Sequence, residues 1–116
     1  MKLANKKCND SVTVPTLTMR QARGVLKHLA RGWRINRNGR LQSQYVFMNF
    51  AKALAFANKI GVIAEAEKHH PDLYVAWGKC KIEIWSHKVK GLTESDFVLA
   101  AKCDRVSKPS PTRSKP

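Results

Sequence analysis

Ala22, Val25, Leu26 and Leu29 recur three and four residues apart, the spacing of one helical face. Thr18 with Gln21 three residues on is a capping-box signature that opens this helix, and Gly32 supplies a stop. The segment WRIN (33–36) leads to Asn38-Gly39, a strong hairpin signal. RLQSQYVF (40–47) returns with Leu41, Ser43, Tyr45 and Phe47 on one face. Asn49 then caps a second, long helix with apolar positions Phe50, Ala53, Leu54, Ala57, Ile60 and Ala64. It runs to about His69, because the residue before Pro71 avoids the helical region. DLYVAW (72–77) and KCKIEIWS (79–86) read as two strands joined at Gly78-Lys79 in a glycine-first turn. Leu73, Val75 and Trp77 alternate in one and Cys80, Ile82 and Ile84 in the other, which makes Trp77 a core position. Thr93 with Asp96 is a further capping signature, opening a third helix that packs Phe97, Ala100 and Ala101.

The order α-β-β-α-β-β-α predicts an α+β fold: an antiparallel four-stranded sheet with three helices packed on one face. Such a sheet has open edges, which small domains commonly hide by self-association. Residues 1–15 are polar without periodicity and read as a flexible N-terminal arm, leaving 16–104 as the folded domain. Residues 105–116, RVSKPSPTRSKP, hold three of the five prolines and no acid, and read as a disordered basic tail.

At 116 residues the chain has room for one core. No apolar run approaches the ~20 residues of a membrane helix, and the N-terminus lacks an apolar signal region, so a cytoplasmic protein is expected. Cys8, Cys80 and Cys103 are an odd number without CxxC spacing, which favours free thiols over a disulfide framework or a zinc knuckle. The charge changes the picture more. Twenty-two lysines and arginines face eight acids, a net +14, and residues 16–104 alone carry fifteen against seven. Anionic partners become plausible on that ground, with no bearing on fold.

The histidines hold the candidate chemistry. His69-His70-Pro71 lies where the long helix gives way to the third strand, and His87 lies just past the fourth. A hairpin between those strands brings all three to one end of the sheet. Imidazoles titrate near 6.5, so a cluster of them can move protons in both directions at neutral pH. A single histidine near a helix C-terminus often only complements the dipole, and His28 on the first helix reads as a surface residue. Metal is the weaker reading: successive helical residues diverge by ~100°, and no HxxxH or HxH pair pre-arranges ligands. A nucleophilic role for Cys80 is weaker still, since it alternates with Ile82 and Ile84 on the apolar face.

The run Glu65-x3-His69-His70-Pro71-x5-Trp77-x9-His87-x8-Asp96 resembles the signature of the pterin-4a-carbinolamine dehydratase family. The similarity extends to Gly32-Trp33, to EAEKHHPDLYVAW and to SHKVKGLTESDFVLAAKCD, about residues 18–106 in all. With HHPDL and WGK the chain looks more like the bacterial members than the animal ones. The resemblance implies a cofactor-free, metal-free lyase that converts 4a-hydroxytetrahydropterin to quinonoid dihydropterin and water, recycling the cofactor of aromatic amino-acid hydroxylases. It implies His69, His70 and His87 as catalytic histidines, His69 and His87 moving protons and His70 mainly holding the pterin. It further implies substrate-binding positions at Glu65, His70, Pro71, Trp85 and Ser86, and a homodimer or homotetramer.

Residue by residue, alternatives stand beside these roles. Glu65 is four residues before His69 and orients that region, or is a solvated helix acid. Asp96 matches the motif, yet its place after Thr93 makes capping the better account. Trp85 walls the site or covers a subunit contact. Lys68 departs from the animal members, which carry an acid there.

The rival reading is a non-enzymatic nucleic-acid-binding or transcriptional regulatory module. Arg20, Arg23, Lys27 and Arg31 form a stripe on the first helix, extended by Arg34, Arg37 and Arg40 with no acid between. A solvated basic face accounts for it better, because no base-stacking aromatics are interleaved.

Overall fold

The computed structural model describes residues 3–9 and 14–107. Helix α1 (Met19–Leu26) leads to strand β1 (Arg34–Ile35) and β2 (Leu41–Val46). Helix α2 (Phe50–Glu67) leads to β3 (Asp72–Ala76), β4 (Lys79–Ile84) and helix α3 (Glu94–Ser107). The expected α-β-β-α-β-β-α order is therefore the order observed. All pairings are antiparallel, in the spatial order β1-β2-β4-β3. Among the described residues no helix is long and apolar enough to cross a membrane.

Local signals account for several boundaries. Thr18 accepts from the Gln21 backbone while the Gln21 side chain accepts from Thr18 N, a complete capping box. Asn49 accepts from Lys52 N at 2.9 Å and starts α2. Asn36 Oδ1 accepts from Asn38 N and Arg40 N, both at 3.0 Å, and Gly39 takes φ 78°, closing the β1–β2 turn.

The core lies between the sheet and its helices. Leu41, Ile82 and Ile84 are fully buried on the helix-facing side, against Ile60 of α2 and Phe97 and Leu99 of α3. Each such side chain contributes about 1.5–3 kcal/mol relative to exposure. Asp104 joins separate parts of the fold: it accepts from Tyr45 Oη at 2.6 Å, Trp33 Nε1 at 2.9 Å and Ala30 N at 3.0 Å. Burial first, then the Asp104 hydrogen bond and charge, push the Tyr45 hydroxyl far above its ordinary range, so it remains a donor.

Several expectations need correction. Helix α1 stops at Leu26 instead of reaching Gly32: His28 N and Leu29 N turn to carbonyls three residues back, and Ala30 N goes to Asp104. Phe50 and Leu54 are exposed, because the buried stripe of α2 is Ala53, Phe56, Ala57, Ile60 and Ala64. Phe56 fills the place expected for them, with its ring 4.7 Å from Tyr45 and 5.1 Å from Phe47. The β3–β4 turn is Trp77-Gly78, with glycine second at φ 77°, which lifts Trp77 out of the strand and leaves it 73% exposed rather than in the core.

The expected arm over residues 1–15 is in part folded. Leu3–Asn5 forms a 3-10 turn with Leu3 buried in the core. Lys102 Nζ donates to Ala4 O at 2.8 Å, Cys8 N to Glu67 Oε1 at 2.8 Å, and Asn9 N to Ser95 Oγ at 2.6 Å. At the other end α3 continues to Ser107, with Val106 against the core, so residues 105–107 belong to the domain and not to the tail. The expected tail beyond them, and residues 1–2 and 10–13 of the expected arm, lie outside the described residues.

Candidate active site

The site is built where α2 ends. Lys68 adopts the left-handed conformation (φ 55°, ψ 38°), and Lys68 N and His69 N both return to Ala64 O. Helical continuation would place Glu65 beneath His69. The left-handed residue instead turns the doublet so that His69 faces inward and His70 outward.

His69 is 3% exposed, and its Nε2 stands 2.7 Å from Asp96 Oδ1. A carboxylate only accepts, so ionised Asp96 holds the imidazole with its proton on Nε2. Asp96 is fully buried and uses its other oxygen twice, accepting from Ser86 Oγ and from Thr93 N, both at 2.8 Å. The Thr93 and Ser86 hydroxyls lie 3.0 Å apart, and Ser95 N donates to Thr93 Oγ1. Capping, the sequence reading of Asp96, is thus half its role; the same carboxylate anchors His69. Among the described residues no buried side-chain polar atom lacks a partner.

His70 is exposed and lies 2.7 Å from Glu65 Oε2, so Glu65 meets the second histidine and not the first. An open cleft of about 600 Å³ beside them is lined by Val62, Glu65, His70, Pro71 and Leu73. His87 is also exposed and stacks on Trp85, ring centroids 4.2 Å apart. The guanidinium of Arg40 lies 3.8 Å from the Trp85 ring and donates to Glu83 at 3.3 Å. Ser86, between Trp85 and His87 in sequence, is buried and bridged to Gly91 across the turn that follows β4.

The three histidines therefore share one end of the sheet, where Asp72 of β3 pairs with Glu83 of β4. Each imidazole has a different neighbour: Asp96 for His69, Glu65 for His70 and Trp85 for His87. Proton transfer at two faces of a bound molecule suits that arrangement; a shared metal ion does not. Sequence reasoning did not find Arg40 over Trp85. The two are 45 positions apart and no local pattern links them. For Asp96 the signal was present, as its spacing from His87.

Comparison with known proteins gives the family and the fold. Residues 15–106 match the family model described as pterin 4 alpha carbinolamine dehydratase. A protein of Rickettsia canadensis (strain McKiel) is 50% identical over 103 residues, covering 88% of this chain and 94% of its own. One of Alkaliphilus metalliredigens (strain QYMF) is 42% identical over 104 residues, covering 89% and 94%. Both carry the name "Putative pterin-4-alpha-carbinolamine dehydratase". A crystal structure described as a transcriptional coactivator/pterin dehydratase from Brucella melitensis shares the fold, with TM-score 0.75 at 24% identity over 81% of this chain and all of that one. Its length, its sheet and its matched residues together make this chain a member of the pterin 4 alpha carbinolamine dehydratase family.

Proposed function

We propose that the protein is a hydro-lyase that converts a 4a-hydroxytetrahydropterin to the quinonoid dihydropterin and water. The observation that carries this reading is the buried His69–Asp96 pair at the sheet end that also carries the exposed imidazoles of His70 and His87. Loss of water needs a proton delivered to the departing 4a-hydroxyl and the N5 proton removed, while the N5 electron pair forms the new double bond to C4a. Histidines serve both ends near neutral pH without further groups. His69 acts as the imidazolium: Asp96 holds its Nε2–H, the Nδ1 proton goes to the departing hydroxyl, and neutral His87 takes the N5 proton. His70, steadied by Glu65, holds the ring with Pro71, while Trp85 and Ser86 complete the wall. The reaction recycles the pterin of an aromatic amino-acid hydroxylase, and three unpaired thiols suit the reducing cytoplasm as its place.

Self-association to a homodimer or homotetramer accompanies this reading. Strand β3 is a sheet edge, and Phe50, Leu54 and Val62 leave α2 with an exposed apolar face.

The test is turnover of a freshly generated 4a-carbinolamine, followed by its absorbance change. His69→Ala and His87→Ala should each slow it roughly 10²-fold or more. The exposed His28→Ala should leave it unchanged. Rates equal to wild type in both single variants and in the double variant would refute the assignment.

A further inference from the structure

Beyond the histidines lies a cavity of about 370 Å³ that shares only Trp85 with the proposed pterin site. It sits between the start of α1, the β1–β2 turn and the loop after β4, with Leu17, Met19 and Leu92 as apolar lining and Arg40, Trp85 and Lys90 as the groups with specific chemistry. We infer that this cavity binds an anionic group, a phosphate monoester or a carboxylate, at the end of the C6 side chain of the pterin substrate. The inference rests on the dehydratase reading and names the substrate class within it.

Four observations carry it. The residues lining the cavity include two cations and no acid. Arg40 commits one guanidinium nitrogen to Glu83 at 3.3 Å, which leaves most of its five N–H donors for another acceptor. Lys90 holds φ 53°, a left-handed conformation open to glycine at no cost but costly to lysine. The loop nevertheless carries a lysine there, immediately before Gly91, and it lines the same cavity as Arg40. Finally, the Trp85 indole touches both parts of the site, with His87 stacked on it and the Arg40 guanidinium 3.8 Å from its ring.

The chemistry of the pterin supplies the direction. C6 is bonded to N5, so the imidazole that takes the N5 proton stands one bond from the root of the C6 side chain. A ring held at His87 sends that chain past Trp85, and an anion at its end meets Arg40 and Lys90. Charge-assisted hydrogen bonds to two cations in a partly enclosed cavity favour an anionic tail over a neutral one by about tenfold or more.

The experiment compares three substrates on the full-length protein: a carbinolamine with a neutral dihydroxypropyl tail, its phosphate monoester, and one with a glutamyl carboxylate tail. The expected result is a kcat/KM at least about tenfold higher for one of the anionic tails, expressed mainly in KM and reduced by added salt. In Arg40→Gln, and in Lys90→Asn, which keeps a residue tolerant of the left-handed conformation, that ratio should fall toward one. Calorimetry with the oxidised, unreactive pterins, neutral and phosphorylated, measures the same preference without turnover. Dehydration with no preference for either anionic tail, or a preference that survives both substitutions, overturns the inference. Phosphate-selective binding without any turnover would uphold it and refute the dehydratase reading instead.

Discussion

His69 and Asp96, twenty-seven positions apart, meet at 2.7 Å inside the protein, and the same carboxylate caps α3. Helix α3 therefore cannot shift along its axis without moving the imidazole. Asp96→Asn offers His69 an amide in place of a charge and unsettles three hydrogen bonds at once. It should lower kcat at least tenfold and cost about 2 kcal/mol of stability. Ser86→Ala, which removes only one donor to Asp96, should be milder on both counts. Steady-state turnover and urea unfolding of both variants check this; equal kcat for Asp96→Asn and wild type would dissociate the pair from catalysis.

Chelation should leave dehydration unchanged. Among the described residues no group of three histidine, cysteine or carboxylate side chains is arranged to hold a metal ion, and the imidazoles of His69, His70 and His87 contact Asp96, Glu65 and Trp85 respectively. Turnover after exhaustive treatment with a chelator is the measurement; activity lost and then restored by zinc would overturn the assignment.

The stripe of Arg20, Arg23, Lys27 and Arg31 is exposed along its whole length. Converting all four to glutamine should change turnover and stability little, since glutamine is nearly as good a helix former as arginine. Any nucleic-acid binding by the parent should be sequence-blind and fall steeply with salt. Specific, salt-resistant binding that the four-fold variant loses would make the nucleic-acid role primary.

Glu67 ties the N-terminal segment to α2. The Cys8 N–H it accepts, with the nearby Lys102 ammonium, holds its carboxyl below the usual carboxylate range despite partial burial. A lowered folded value means that this stabilisation is present above the ordinary value of 4.5 and is lost as pH falls through the lower folded one. Glu67→Gln should therefore cost about 1 kcal/mol near pH 7, and the gap from wild type should close in acid. Denaturant unfolding at several pH values reads the difference directly.

What was legible in the sequence was what short-range chemistry writes. Thr18 with Gln21, Asn49 with its own helix, and Asn38-Gly39 act within four residues, so their patterns survive in one dimension. The alternation of Leu41, Ser43 and Tyr45 likewise followed from the pleat. Trp77 misled because alternation does not reveal where a strand stops. Leu3 misled because its burial depends on α3, nearly a hundred positions away, and a lone leucine has no period. For the site, the histidines were visible as residue types, and the family signature placed Glu65 and Asp96 beside them. Which histidine takes which carboxylate depends on one backbone torsion at Lys68, which no residue-type pattern announces.

That torsion has a consequence for how the doublet can change. Two neighbours in the chain have been sorted into different media: His69 answers to the packing of the interior, His70 to whatever arrives from the solvent. A substitution at His70 is free to retune affinity for an incoming molecule without disturbing the frame. The same substitution one position earlier strands Asp96 in the core. The hinge between these fates is the left-handed backbone of exposed Lys68; Lys68→Gly should preserve the sorting, and a β-branched residue there should erase it.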